Sequence, residues 1–322
     1  MKACVAQLAP AWMDRDTTVA KAANMVHRAG RQGAGLIAFG EAVVPGYPIW
    51  LDKTGGAEFD NAYQKQVHAM YVDQAVVVPP AGESCDALGG HLAPLGQAAA
   101  ETCCCVIVGV VERALDRGGH SLYCSRVMIG GSGDSAGRVL SVHRKLMPTY
   151  EERLCWSIGD GAGLVVHEVG GFTVGALNCW ENWLPLARAA LHAQGENVHV
   201  MIWPGARRNT ELLTRSAAFE GRSYVLSASG LLRARDVPTG FPGRDRLVHG
   251  MAEGDFYCDG GSCIAGPDGR WIVEPQVGEE GLHYAELDLA VVRGERQNLD
   301  ISGHYSRPDV LRLVVKRDRQ QL

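Results

Sequence analysis

The chain has 322 residues, 46% of them hydrophobic and 21% charged, with a net charge of −5 and a pI near 6.1. That is enough apolar material for one large domain or two, and the lack of a basic run interleaved with aromatics excludes nucleic acid as a partner. No apolar run reaches membrane-spanning length, and MKACVAQLAP turns polar too soon for a secretion signal, so a soluble, cytoplasmic protein without a membrane partner is expected.

Residues 2–8 (KACVAQL) predict a first strand. Val19, Ala22, Ala23, Val26 and Ala29 recur at helical spacing, which predicts a helix from Asp16 to about Gly30 with Asp16 or Thr17 as its cap. GLIAFGE (35–41) is a short apolar strand that ends on a carboxylate, Glu41, and PGYP (45–48) turns the chain. Strand, helix and strand in such close succession predict a layered α/β architecture. Residues 60–75 are a second helical candidate, and 96–102 close a third helix before CCCVIVGVV. The ten cysteines are scattered through apolar segments, which predicts reduced thiols and not a disulfide framework. Neighbours in the triplet Cys103–Cys105 point to opposite faces, and no cysteine cluster has metal-ligand spacing, so no metal is expected. SLYCSRVMIG and GRVLSVHRKL flank GSGDSA, a hairpin turn and not a dinucleotide fingerprint, because a strand follows it where a fingerprint needs a helix.

HRKLMPTYEERLCW (143–156) follows a strand and places Lys145 and the pair Glu151/Glu152 in one loop, with Pro148, Tyr150 and Trp156 as anchors. In FTVGALNCWENWLPLARAAL (172–191), an apolar strand leads to Cys179, and Pro185 then opens a helix. A cysteine at the turn between strand and helix is either a nucleophile exposed on a rigid scaffold or a packed structural thiol. NVHVMIWPG and YVLSASG are further strands, NTELLTRSAAFEGR is a capped helix, and GGSCIAGPDGRWIVEP is a hairpin around Pro-Asp-Gly. HYAELDL is a last core strand. DVLRLVVKR alternates apolar and basic residues, as an edge strand or an arm on a partner would. One domain over 1–306 with a tail over 307–322 is expected.

Glu41, Lys145 and Cys179 all fall at strand ends or in loops. A carboxylate in a dry site has its pKa raised enough to act as a base toward a thiol. A nearby lysine favours the thiolate and stabilises negative charge on a substrate, and a helix amino terminus after Cys179 adds in the same direction. Such a set supports nucleophilic chemistry without a histidine, metal or cofactor.

FGEAVVPGYP, HRKLMPTYEERLCW and NCWENWLPLARAALHAQG resemble, in this order, the three signature segments of the nitrilase (carbon–nitrogen hydrolase) superfamily. FEGRSYVLSASG, GGSCIAGPDGRWIVEP and GHYSRPDVL are similar to stretches of the true nitrilase branch, so the resemblance runs from about residue 3 to 312. It implies a four-layer α-β-β-α sandwich that pairs through helices into an eight-layer dimer, often extended into spiral homo-oligomers. It implies Glu41 as general base, Lys145 as electrostatic stabiliser and Cys179 as nucleophile, with Glu152 orienting Lys145 and helping to place water. Tyr47, Trp156, Trp180 and Pro204 match pocket positions. The implied substrate is a small-molecule nitrile, hydrolysed to the acid and ammonia through a thioimidate and a thioester, with no cofactor.

An amidase or carbamoylase, a cyanide-hydrolysing relative and a catalytically silent oligomeric scaffold are the alternatives. Cys179-Trp180-Glu181 resembles the nitrilase branch, and an intact Glu41, Lys145 and Cys179 speak against a scaffold. The cysteine triplet, and Gly40 where many relatives carry proline, depart from the family pattern. The segments 182–194 and 210–221 carry Trp183, Leu184, Leu186, Leu212, Leu213 and Phe219, more apolar surface than one sheet face needs, which predicts a twofold mate.

Overall fold

In the computed structural model, which describes residues 1–320, the strands assemble into two sheets. The first contains β1 (Lys2–Gln7), β2 (Ala34–Ala38), β3 (Cys105–Arg113), β4 (Leu122–Ile129) and β5 (Val139–Arg144). The second contains β6 (His167–Val169), β7 (Phe172–Asn178), β8 (Val198–Trp203), β9 (Tyr224–Ser229), β10 (Leu231–Arg233), β11 (Phe256–Ala265) and β12 (Trp271–Val277). A last strand, β13 (Gly281–Glu286), returns to pair antiparallel with β1 at the edge of the first sheet.

The parallel runs β1–β2–β3 and β7–β8–β9 need crossovers. Helices α1 (Arg15–Arg31), α2 (Trp50–Lys53), α3 (Ala62–Gln74) and α4 (Ala93–Thr102) fall within the first set of crossovers, and α5 (Pro185–His192) and α6 (Arg207–Gly221) within the second. Two more helices, α7 (Arg244–Leu247) and α8 (Leu289–Arg296), follow later in the chain.

Alternation along each strand builds the layers. Cys4 and Ala6 of β1 cluster with Val19, Ala22 and Val26 of α1 and Leu95 of α4. Ala3 and Val5 point the other way and cluster with Val174, Val198, Val200 and Ile202 of the second sheet. Beyond that sheet, Leu177 packs on Ala187, Ala190 and Leu191 of α5, and Met201 and Trp203 pack on Leu213 and Ala217 of α6. Helices, sheet, sheet and helices follow in that order, the four-layer α-β-β-α sandwich that the resemblance implies.

Several local expectations change. Helix α1 is capped by Asp14, whose carboxylate accepts the Thr17 N–H at 3.0 Å, and not by Asp16 or Thr17. Helix α6 begins at Arg207 with no side-chain cap from its N-cap residue. Its first N–H is instead satisfied by Asp259 of β11 at 3.1 Å, a partner distant in sequence. Cys103 closes α4 in a left-handed conformation and does not lead the strand. The tail does not form an edge strand. Val310, Leu311 and Val314 are exposed, and the tail is fastened by side chains: Arg319 pairs with Asp160 at 3.1 Å and donates to the Val142 carbonyl at 2.7 Å. On the outer face of α5 and α6, Leu186 (70% exposed), Leu212 and Phe219 stand in the open. No helix among the described residues is long and apolar enough to cross a membrane.

Two glycines bring the sheets close to Glu41. A Cβ at Gly109 would lie 2.6 Å from Glu41 Cα, and one at Gly40 would lie 2.6 Å from the Gly230 nitrogen. The departure from the family's proline at position 40 therefore sits where the Glu41 segment touches the second sheet, and there the Glu41 N–H donates to the Trp203 carbonyl at 3.0 Å.

Candidate active site

Glu41 follows β2, Lys145 follows β5 and Cys179 follows β7, so the packing of the two sheets brings together three residues that are far apart in the chain. All three are buried. The Lys145 Nζ lies 3.0 Å from Glu41 Oε1 and 2.7 Å from Glu152 Oε2. Glu152 is held in turn by the Tyr47 hydroxyl, which donates to Oε1 at 2.9 Å, and by the Thr149 N–H, which donates to Oε2 at 2.6 Å. Its neighbour Glu151 is only half-buried.

One ammonium between two carboxylates leaves this dry site short of positive charge. Burial pushes the Glu41 carboxyl up to about 7, with Lys145 opposing and Glu152 adding to the rise. Burial also disfavours the charge on Lys145, but Glu41, Cys179 and Glu152 outweigh it and hold the group well above the usual lysine range. At Cys179, burial and then the Glu41 charge push the thiol well above its ordinary value, against the pull of Lys145 and the Trp180 backbone N–H. The cost of burying a second anion thus outweighs the pull of Lys145 on this thiol. A 3₁₀ turn over Cys179–Trp183 follows the strand, and α5 starts at Pro185, where the sequence places its opening.

Cys179 itself has a left-handed backbone, with φ of 37°, a strained state for a side chain with a Cβ. Two neighbours in the turn, which the sequence reading did not place in the site, hold it there. Glu181 accepts the Asn178 N–H at 2.9 Å and the Leu146 N–H at 2.5 Å, and His143 Nε2 lies 3.1 Å from each of its oxygens. That carboxylate pins the turn to the residue next to Lys145. Asn182 donates to the Cys179 carbonyl at 2.8 Å. The available signal was two polar residues just after Cys179 in an otherwise apolar segment.

Of the pocket candidates, Tyr47 and Pro204 line one small cavity with Glu41, Leu231, Leu232 and Cys258. Trp156 is buried edge-on to Tyr47, with ring centroids 5.8 Å apart, and Lys145 Nζ lies 5.8 Å from its centroid. The Trp180 indole is 53% exposed, so the structure does not set it among these buried rings. Tyr150 is 82% exposed and leaves the anchoring of its loop to Pro148 and Trp156. Cys124, also missed, lies buried on β4 within reach of the Glu41 charge. Among the described residues no group of three His, Cys, Asp or Glu side chains is placed to hold a metal ion, and all ten cysteines are free thiols.

A thiol, an ammonium and two carboxylates shut inside a double-sheet sandwich make the constellation of a cysteine-dependent hydrolase. The carbon-nitrogen hydrolase profile matches residues 2–297, and the chain belongs to that family. Nitrilase 2 from an unknown prokaryotic organism is 39% identical over 319 residues, covering 98% of this chain and 92% of that protein. The aliphatic nitrilase of Sinorhizobium fredii (strain HH103) is 34% identical over 321 residues, covering 98% and 95%. Among solved structures, a mutant of the Nesterenkonia AN1 amidase from the nitrilase superfamily matches with a TM-score of 0.63 at 18% identity, over 93% of this chain and 96% of that one. This last likeness is one of fold.

Proposed function

We propose that the protein is a nitrilase, converting an organic nitrile to the carboxylic acid and ammonia through covalent intermediates on Cys179. The observation that carries this reading is a buried Glu41 carboxylate 3.0 Å from Lys145, in the same dry site as the Cys179 thiol, in a chain whose relatives include nitrilases. Glu41 takes the thiol proton as the sulfur attacks the nitrile carbon, and returns it to the nitrogen to give the thioimidate. Lys145 and the Trp180 backbone N–H face the negative charge that develops on that nitrogen. Glu41 then activates one water, ammonia leaves the tetrahedral adduct, and a thioester remains. A second water, activated the same way, releases the acid and restores the thiol. Glu152 keeps Lys145 in place, with Tyr47 as its own tether, and Tyr47, Trp156 and Pro204 form the substrate walls.

A linear nitrile suits a narrow aromatic slot, whereas an amide brings an oxygen and an NH₂ that need partners. Leaving them unpaired costs about 1–3 kcal/mol, so an arylaliphatic nitrile is expected to be turned over about tenfold to a hundredfold faster than its matching amide. Ammonia release at equal concentrations checks this, and a faster amide would put the amidase reading in its place.

The exposed face of α5 and α6 is proposed to meet a twofold mate, with the 307–315 part of the tail as an arm that extends from the 1–306 domain to a neighbouring subunit. Light scattering on active enzyme at micromolar concentration is expected to show a dimer or larger species; an active monomer would exclude the arrangement.

A further inference from the structure

Behind the nucleophile, a line of buried polar side chains runs out to the helix layer. The Asn182 Nδ2 donates to the carbonyls of Cys179 at 2.8 Å and Leu177 at 3.3 Å, one at the nucleophile and one two residues before it. Both of its N–H bonds are thereby used, and its Oδ1 lies 2.8 Å from His199 Nε2 on β8. The other ring nitrogen, His199 Nδ1, lies 2.8 Å from Glu196 Oε1. Glu196 Oε2 is 3.0 Å from His192 Nδ1 at the end of α5. All four side chains are buried, and Arg188 donates to the Asn182 backbone carbonyl from the same side.

Donor counting decides which way the contact between His199 and Asn182 runs. Its two nitrogens face two acceptors, a carboxylate oxygen and an amide oxygen. Turning the Asn182 amide over would put its oxygen against the carbonyls of Cys179 and Leu177. The Asn182 oxygen therefore faces the ring, and His199 carries a hydrogen at Nε2 to meet it.

We infer that His199 is a positioning residue for catalysis: oriented by Glu196, its Nε2–H locks the Asn182 amide, which holds the Cys179 carbonyl and so fixes the left-handed turn that aims the sulfur. This rests on the nitrilase reading only in taking Cys179 as the nucleophile. His199 touches no reacting atom and acts through Asn182.

The test separates the donated hydrogen from the ring. His199→Gln presents an amide N–H where Nε2–H stands, and His199→Leu removes it. In the full-length enzyme, with folding checked by circular dichroism, His199→Gln is expected to keep kcat within about threefold of wild type. His199→Leu is expected to lose at least about tenfold in kcat per folded protomer, with KM within about twofold, as for a hydrogen bond whose loss leaves buried acceptors unpaired. Equal losses in the two variants, or wild-type kcat in folded His199→Leu, overturn the inference. If His199→Leu does not fold, the near-isosteric Asn182→Asp decides. It still accepts from His199 but cannot donate to the Cys179 carbonyl, so alkylation of Cys179 by iodoacetamide should slow about tenfold along with kcat; alkylation at the wild-type rate overturns the inference. Should the substrate prove to be an amide, the same kcat split is expected on the amide, so failure of the nitrile assignment is read separately.

Discussion

Cys179→Ala is expected to lower turnover of every carbon–nitrogen substrate by at least about 10⁴-fold, because the sulfur forms the bond on which both hydrolytic steps depend. The other buried thiols near Glu41 give no substitute: Cys124 lies on a different strand, where burial followed by the Glu41 charge pushes it well above the ordinary thiol range, and burial pushes Cys258 up to about 12. The fold is expected to survive, since the change removes one buried sulfur atom and the turn is tied down by Glu181 and Asn182, which remain. Ammonia release per folded protomer is the measurement. Turnover above about a hundredth of wild type in a folded Cys179→Ala would sink the covalent mechanism.

Acidification is expected to switch the enzyme off through about pH 7. In the proposed mechanism Glu41 must be ionised to take the thiol proton, and burial lifts its carboxyl from 4.5 to about 7. Below that point kcat/KM should fall about tenfold for each pH unit. Stability moves the opposite way. The folded state holds the Glu41 proton more tightly than the unfolded chain does, so from pH 4.5 to about 7 the unfolded chain ionises first and stability declines as pH rises. Above about 7 both states are ionised and the loss levels off at about 3 kcal/mol. The ionised base is therefore a strained group, held in place by Lys145. A pH–rate profile for kcat/KM and thermal midpoints between pH 5 and 8 check both trends, and a flat rate profile over that range would rule Glu41 out as the base.

How much could be read before the structure depends on the range over which each signal acts. The strand over residues 2–8, the Pro-Asp-Gly hairpin and the helix opened by Pro185 are written in alternation, turn chemistry and a fixed φ, all of which act within a few residues. The three segments with Glu41, Lys145 and Cys179 were legible in the same way, as strand ends with unusual polar residues. Helix ends were less so. Asp14 caps α1 from just outside the apolar stripe, and α6 is started by Asp259 from another strand, beyond the reach of any local pattern.

The layered α/β class, the longer strands and helices and the segments that carry the reactive groups were legible in the chain, because periodicity and motif are local; short elements such as β6, β10, α2 and α7, and the helix α8, were not. The charge balance at Glu41, the exposure of Trp180 and Tyr150, and the hydrogen bonds of Glu181, Asn182 and His199 around the turn came only with the tertiary structure. Desolvation depends on everything that surrounds a group, and a buried donor finds its acceptor across strands that are neighbours only after the sheets have packed. His143 meets Glu181 across 38 residues and Tyr47 meets Glu152 across 105. No spacing in the chain encodes those meetings; the stacking of two sheets does.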